Sequence, residues 1–211
     1  MRHERATNVL HPTATFLAAA SRAAGTGAVA TAIRAGAVLF VAVLTAAASQ
    51  VSVPLPFTPV PFTFQPMVVL LGGALLGPRL GACSQILYLV AGLAGLPVFA
   101  ASATLPPGAG RLLGPTGGYL MAYPAAACMT GWLAARGFDR RYLTAVLAMM
   151  TGLTVIFTAG VTWLAPFVGG FGAALRAGLL PFLLADLVKV CLAAAVLPAL
   201  WRLTGLGSRI A

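Results

Sequence analysis

Two ionisable residues, Asp186 and Lys189, stand three positions apart in the last apolar block, LLPFLLADLVKVCLAA. This spacing places both side chains on one face of a helix, where they can form an ion pair. A charged group inside a membrane span costs about 2.5–3.5 kcal/mol on insertion scales and usually faces a bundle interior or a cavity. The pair therefore has two interpretations: a self-neutralising contact that fixes helix packing, or one wall of a polar pocket. A pocket of this kind fits a neutral ligand that displays both hydrogen-bond donors and acceptors.

A second candidate segment is GPTGGY at residues 114–119, which opens another apolar block. Proline near a helix start and clustered glycines let a ligand or another backbone approach the helix N-terminus closely. The same pattern also fits a plain helix start with glycines for packing, which are common in membrane helices. Arg111 lies just before this segment, and it could neutralise a substrate carboxylate or anchor a lipid headgroup.

The remaining polar groups carry weaker signals. Gln65 and Tyr88 lie near or within apolar blocks, and each taken alone is typical of a packing or interface residue. The cysteines fall inside apolar blocks without a CxxC or Cys/His cluster, so they indicate neither disulfides nor a metal site. No G-x-x-x-x-G-K-[ST] motif occurs, so any ATP-driven step must come from another polypeptide. We expect no catalytic residue, no metal and no cofactor.

Composition sets the class of protein. The chain has 211 residues, of which 60% are apolar and 8% charged, with a mean hydropathy of +0.98. Soluble domains contain roughly 45–50% apolar and about 25% charged residues. The sequence therefore predicts an all-α integral membrane protein in the lipid bilayer. The net charge of +10 does not indicate nucleic acid, because the arginines lie in short gaps between apolar blocks and not interleaved with aromatics.

Apolar runs bounded by Pro, Gly and Arg predict six transmembrane helices. The second and third are separated only by Pro78 and Arg79, so we expect a tight helical hairpin there. The layout predicts a cytoplasmic tail over 1–26, a six-helix substrate-binding domain over 27–205 and a short cytoplasmic tail over 206–211. The predicted spans are 28–50, 64–77, 80–96, 116–136, 141–165 and 177–202.

The distribution of arginines tests this layout, because membrane proteins carry their Lys/Arg surplus on the cytoplasmic side. With the N-terminus inside, only Arg111 and Arg176 fall on the outer side. We therefore expect both termini in the cytoplasm and a multi-pass protein of the inner (plasma) membrane. The inner side collects Arg2, Arg5, Arg22, Arg34, Arg79, Arg136, Arg140, Arg141, Arg202 and Arg209.

Two outer connections differ from short turns. The first, 51–63, contains four prolines that forbid a helix and impose extended backbone. The second, 97–115, is long and apolar, and long loops in a compact fold are usually functional. Both lie on the predicted outer side, so they are candidate lids over a site that opens outward.

Small residues recur at four-residue spacing in the first helix, as Ala42 with Ala46 and as Ala32 with Gly36. Such faces let helices approach closely, either inside the bundle or against a partner.

Several blocks together resemble one family, the BioY family of biotin-specific substrate-binding (S) components of energy-coupling-factor (ECF) transporters. The resemblance extends from the first loop to the last helix, and the Pro-rich loop, GPTGGY and the D-x-x-K helix are specific in combination. The matching blocks are PLPFTPVPFTFQ (54–65), LGPRLGACSQILYLVAGLAGLPVFA (76–100), LLGPTGGYLMAYPAAA (112–127) and LLADLVKVCLAA (183–194).

The resemblance implies a six-helix S component that binds biotin from the outer side and works with a transmembrane coupling subunit and ATPase subunits. By position, Asp186 and Lys189 would recognise the ureido ring and Arg111 the valerate carboxylate. The helix-one alanines, Ala42 and Ala46, would face the coupling subunit. The remaining expected contacts form the wall of the pocket or touch the ligand more weakly: Thr116, Gly117, Gly118, Tyr119, Tyr88 and Gln65.

Other functions remain open at this point. An S component for another small vitamin would keep the six helices but is not expected to keep D-x-x-K and GPTGGY together. An intramembrane transferase or hydrolase would require paired acids with a metal, or an activated nucleophile with a base. The spans supply Asp186 as their only acid, so such chemistry is poorly provided for. A structural subunit would not need a buried Asp/Lys pair beneath two apolar loops.

Overall fold

The computed structural model describes residues 15–23, 25, 27–101 and 108–204. Within these ranges the chain is almost entirely helical, with one small two-stranded sheet. In chain order the elements are α1 (Phe16–Ala23), α2 (Ala28–Gln50), β1 (Ser52–Val53), β2 (Phe62–Thr63), α3 (Gln65–Leu76), α4 (Pro78–Leu93), α5 (Ala109–Leu113), α6 (Gly117–Leu133), a π-helical turn (Ala134–Phe138), α7 (Tyr142–Val168), α8 (Phe171–Gly178) and α9 (Leu180–Thr204).

A helix lies at each of the six predicted spans, with both ends within three residues of the predicted ends. Three of them, α2, α7 and α9, are long and apolar enough to cross a membrane by length and composition. The helix α3 is apolar but has 12 residues. The described part of the chain is thus a helical bundle with several candidate membrane spans.

The predicted N-terminal tail contains a helix. Leu17 of α1 is buried, and the Phe16 ring meets the Trp201 ring edge-on, with 5.3 Å between ring centroids. The segment therefore packs against the bundle, because its apolar side chains fall on one helical face. The rest of the predicted tail, 1–14, 24 and 26, and the C-terminal tail 206–211 lie outside the described residues.

The tight break between the second and third predicted spans is present as a break between α3 and α4, and it occurs at Gly77. This residue has φ 85°, a conformation that favours glycine, and its N–H donates to the Gly73 carbonyl at 2.9 Å. Pro78 then opens α4, where its missing N–H costs no helical hydrogen bond. Gly81 faces Gly73 so closely that an added Cβ would lie 2.9 Å from the Gly73 Cα. The two helices therefore fold back on one another with no side chain between them at this point.

One end of the bundle is tied together by a buried carboxylate. The Trp201 indole N–H of α9 donates to Asp139 Oδ2 at 2.7 Å, and the Arg140 guanidinium stacks over the Trp201 ring at 3.5 Å. Burial raises the pKa of the Asp139 carboxyl, and the contacts with Trp201 and Arg140 offset part of that rise. This cluster joins the α6–α7 connection to the end of α9.

The other end carries the two long connections, and we call it the cavity end. In the Pro-rich loop, β1 and β2 pair antiparallel with Ser52 opposite Thr63 and Val53 opposite Phe62. The extended backbone was predicted from the prolines, whereas the strand pairing is a departure from a purely helical fold. The second connection is fastened to the end of α2, where Ser49 Oγ donates to the Val98 carbonyl at 2.6 Å.

Candidate functional site

A cavity of about 580 Å³ opens at the cavity end of the bundle. Its volume falls within the range of roughly 300–1,000 Å³ typical of small-molecule sites. The Pro-rich loop forms its rim, and α6, α7 and α9 form its walls. Six of the predicted site residues are among the described residues that line it, namely Gln65, Arg111, Thr116, Tyr119, Asp186 and Lys189.

The predicted ion pair is present at the cavity wall. Lys189 Nζ donates to Asp186 Oδ1 at 2.7 Å, and the two residues are 6% and 5% exposed. Their i, i+3 spacing in α9 brings both side chains to the same face. A buried pair of this kind needs further hydrogen bonds to offset the loss of hydration.

Lys189 obtains those further contacts from the Pro-rich loop. Its ammonium donates to the Thr63 backbone carbonyl at 2.7 Å and lies 3.6 Å from the centroid of the Phe62 ring. An ammonium has three N–H donors, and Asp186, Thr63 and the Phe62 ring give the ammonium of Lys189 three contacts. Among the described residues no hydrogen bond reaches the second carboxylate oxygen, Asp186 Oδ2. Asp186 is therefore the acceptor that the pair offers to the cavity, and Lys189 fixes β2 against α9.

Gln65 links this region to a layer behind the cavity wall. Its amide donates to the Tyr88 hydroxyl at 2.6 Å, and the Thr63 hydroxyl lies 3.4 Å from Gln65 Oε1. Tyr88 is 1% exposed and is not among the described cavity-lining residues. The Tyr88 ring packs edge-on against Phe99 of the second connection. Tyr88 thus supports Gln65 from behind and does not face the cavity.

Arg111, Thr116 and Tyr119 bring the second connection and α6 to the cavity. Arg111 lies in the short helix α5, and partial burial lowers the pKa of its guanidinium. An arginine nevertheless stays charged at neutral pH, so it provides a cation at this wall. The Tyr119 hydroxyl donates to the Gly178 carbonyl at 2.9 Å, which joins α6 to the end of α8.

The sequence model of the BioY family matches residues 14–205. The chain belongs to the BioY family.

Similar proteins carry the same family name. The chain is 43% identical over 129 residues to the "Probable biotin transporter BioY" of Pyrococcus horikoshii, covering 61% of this chain and 73% of that protein. It is 35% identical over 132 residues to the "Biotin transporter BioY" of Thermotoga maritima, covering 63% and 75%.

A solved structure has the same fold as this BioY chain. It is the crystal structure at 2.1 Å of the S-component for biotin from an ECF-type ABC transporter. The TM-score is 0.75 at 24% identity, and the match covers 84% of this chain and 95% of that chain.

Gly117 and Gly118 of this BioY chain lie in close contact with neighbouring backbone and with α7. A Cβ on Gly118 would collide with Trp163 Cβ and lie 2.7 Å from the Ala159 carbonyl oxygen, both in α7. On Gly117 it would collide with the Leu112 carbonyl oxygen. Gly117 and Gly118 therefore admit neighbouring backbone and α7, and they are not among the described residues of the cavity wall.

The two alanines predicted to face the coupling subunit, Ala42 and Ala46, lie against the core of the BioY chain. Ala42 is 5% exposed and belongs to the hydrophobic core, and Ala46 is partly buried against it. Both alanines therefore pack within the bundle. Ala32 and Gly36 lie on the exposed face of α2, and a Cβ added at Gly36 would meet nothing within 4 Å.

Sequence reasoning missed several apolar and aromatic residues of the BioY cavity. Tyr123 lines it one helical turn after Tyr119, and Phe182 lines it one turn before Asp186. The signal was available, because residues four apart share a helix face. Ile156 and Phe157 of α7 complete this apolar wall.

Proposed function

We propose that the chain is the biotin-binding S component of an ECF-type transporter, working with a transmembrane coupling subunit and ATPase subunits. The observation that carries the proposal is the buried Asp186–Lys189 pair, whose carboxylate faces a cavity of about 580 Å³. Family membership supports it, since the relatives from Pyrococcus horikoshii and Thermotoga maritima are named as biotin transporters. The chain acts as a transport component and not as an enzyme.

The chemistry of biotin fits the polarity of the cavity. Its ureido ring presents two N–H donors, and Asp186 Oδ2 supplies a charged acceptor for one of them. Its sulfur-containing ring is apolar and matches the side chains of Tyr123, Ile156 and Phe182. Its valerate carboxylate requires a cation, which Arg111 provides. Lys189 fixes the carboxylate of Asp186 in place and ties the Pro-rich loop to α9.

Equilibrium binding of biotin to the purified protein in detergent tests this proposal, with thiamine and riboflavin as matched vitamin controls. We expect saturable 1:1 binding of biotin and no binding of the other two. ATP should change neither result, because the chain itself has no G-x-x-x-x-G-K-[ST] motif. Binding of thiamine or riboflavin in place of biotin would contradict the assignment of the substrate.

The proposed topology has six membrane-spanning helices, both termini in the cytoplasm and the cavity end outside. Among the described residues, Arg79, Arg136, Arg140 and Arg141 lie away from the cavity end, which supports this orientation. Alkaline phosphatase is active only outside the cytoplasm. Fused after residue 211 it should be inactive, and inserted at Gly170, between α7 and α8, it should be active. The reverse pattern would contradict the orientation.

A further inference from the structure

The turn between α5 and α6 is held by a side chain from α7. The Trp163 indole N–H donates to the Gly114 carbonyl oxygen at 2.9 Å, from 49 residues further along the chain. The Gly117 backbone N–H donates to the same oxygen at 3.0 Å. The position of the Gly114 carbonyl is therefore fixed from two directions.

The glycines of this segment make the contact possible. Trp163 Cβ packs against Gly118, and a Cβ on Gly117 would lie 3.1 Å from Trp163 Nε1. Any larger residue at these positions would push the indole away from Gly114. The clustered glycines therefore serve the approach of Trp163.

The held turn carries residues of the cavity wall on both sides. Arg111 precedes it in α5, and Pro115 and Thr116 lie within it; all three line the cavity. The helix α5 has five residues, too few to be stable without support at its ends. Leu112 is buried, and the Gly114 turn is the next point of attachment. The turn is therefore one of the attachments of the short helix that carries Arg111.

Trp163 itself lies outside the cavity. It lines a groove between α6 and α7 together with Phe167, Met121 and other apolar residues. It therefore acts on the cavity through the backbone of the turn and not by touching a ligand.

We propose that Trp163 is a positioning residue for the carboxylate end of the ligand, because its hydrogen bond to Gly114 sets the place of Arg111. This inference rests on the proposed function, since it takes biotin as the ligand and Arg111 as the partner of its carboxylate.

Trp163→Phe tests the inference, because it keeps an aromatic ring and removes the N–H donor. Affinity is measured for biotin and for biotin methyl ester, which lacks the negative charge. We expect biotin to bind about fivefold to tenfold more weakly and the ester to change less than about twofold, as for loss of one hydrogen bond that positions a charged contact. Trp163→Tyr, whose hydroxyl can still donate, should retain more of the preference for biotin.

Two controls separate this effect from general damage. Phe167→Leu alters the same groove, where the two rings are 6.4 Å apart, and should leave both affinities unchanged. In an Arg111→Gln background, Trp163→Phe should no longer weaken biotin binding, because residues that act together are not additive. If Trp163→Phe does not fold, Trp163→Tyr and Arg111→Gln are compared by the ratio of their affinity for biotin to their affinity for biotin methyl ester.

The outcomes distinguish the two proposals. Equal weakening of biotin and ester by Trp163→Phe, or no change in either, would overturn the positioning role while leaving biotin binding established. Failure of the parent protein to bind biotin would overturn the proposed function and the inference with it.

Discussion

Asp186→Asn is expected to remove most of the biotin affinity of the purified protein. The substitution keeps the shape of the side chain but replaces the charged acceptor at Oδ2 with a group that also donates. Truncating one partner of a buried, hydrogen-bonded charge pair costs about 2–5 kcal/mol, which corresponds to a loss of about thirtyfold to several thousandfold. Isothermal titration with biotin in detergent measures the change.

Asp139→Asn is the matched control. Asp139 is also a buried aspartate, but it lies at the opposite end of the bundle and accepts from Trp201. Its substitution should leave biotin affinity unchanged even if it lowers thermal stability. Equal loss of binding in both variants would show that the effect of Asp186→Asn is not local to the cavity.

The partner of Asp186 allows a further test of the pair. Lys189→Met leaves a buried carboxylate without its counter-ion, which costs about 3–5 kcal/mol of stability. It also removes the donor to Thr63, so the Pro-rich loop should loosen. The double variant Asp186→Asn/Lys189→Met should unfold at a higher temperature than Lys189→Met alone. A double variant that folds and binds biotin like the parent would confine the pair to a structural role.

The helices could be predicted from the sequence because their signal is local. Helices in apolar sequence end mainly at glycine, proline or charged residues, and Gly77 and Pro78 mark the α3–α4 break in this way. The packing of α1 and the pairing of β1 with β2 could not be predicted. Both depend on contacts with residues far along the chain, such as Phe16 with Trp201.

The local part of the site could likewise be predicted from the sequence, and its long-range contacts could not. The spacing of Asp186 and Lys189 placed them on one face, and their pairing follows from it. The third partner, the Thr63 carbonyl, lies 126 residues away from Lys189 in the sequence. Every residue has a backbone carbonyl, so the residue type at position 63 could not indicate this hydrogen bond. The role of the small residues of α2 is not decided by their spacing, since small residues four positions apart suit internal packing and partner contacts equally.

Gly131→Ala is expected to destabilise the bundle, although the substitution adds only one methyl group. A Cβ at this position would lie 2.5 Å from the Gly77 carbonyl carbon, 2.6 Å from Gly73 O and 2.7 Å from Pro78 N. These are backbone atoms of the α3–α4 turn, which cannot rotate away as a side chain would. Overpacking typically costs about 1–3 kcal/mol, and it must exceed the gain of up to about 1 kcal/mol from replacing a helical glycine by alanine.

Gly36→Ala separates the two terms, because it also replaces a glycine inside a helix but meets nothing within 4 Å. Only the helix propensity term applies there, so its melting temperature should stay the same or rise. The Gly131→Ala protein should melt several degrees lower, at about 2–4 °C per kcal/mol for a chain of this size. Equal melting temperatures for the two variants would mean that α6 moves away from the α3–α4 turn at little cost. In that case the close backbone contact between Gly131 and Gly77 would contribute little to the stability of the bundle.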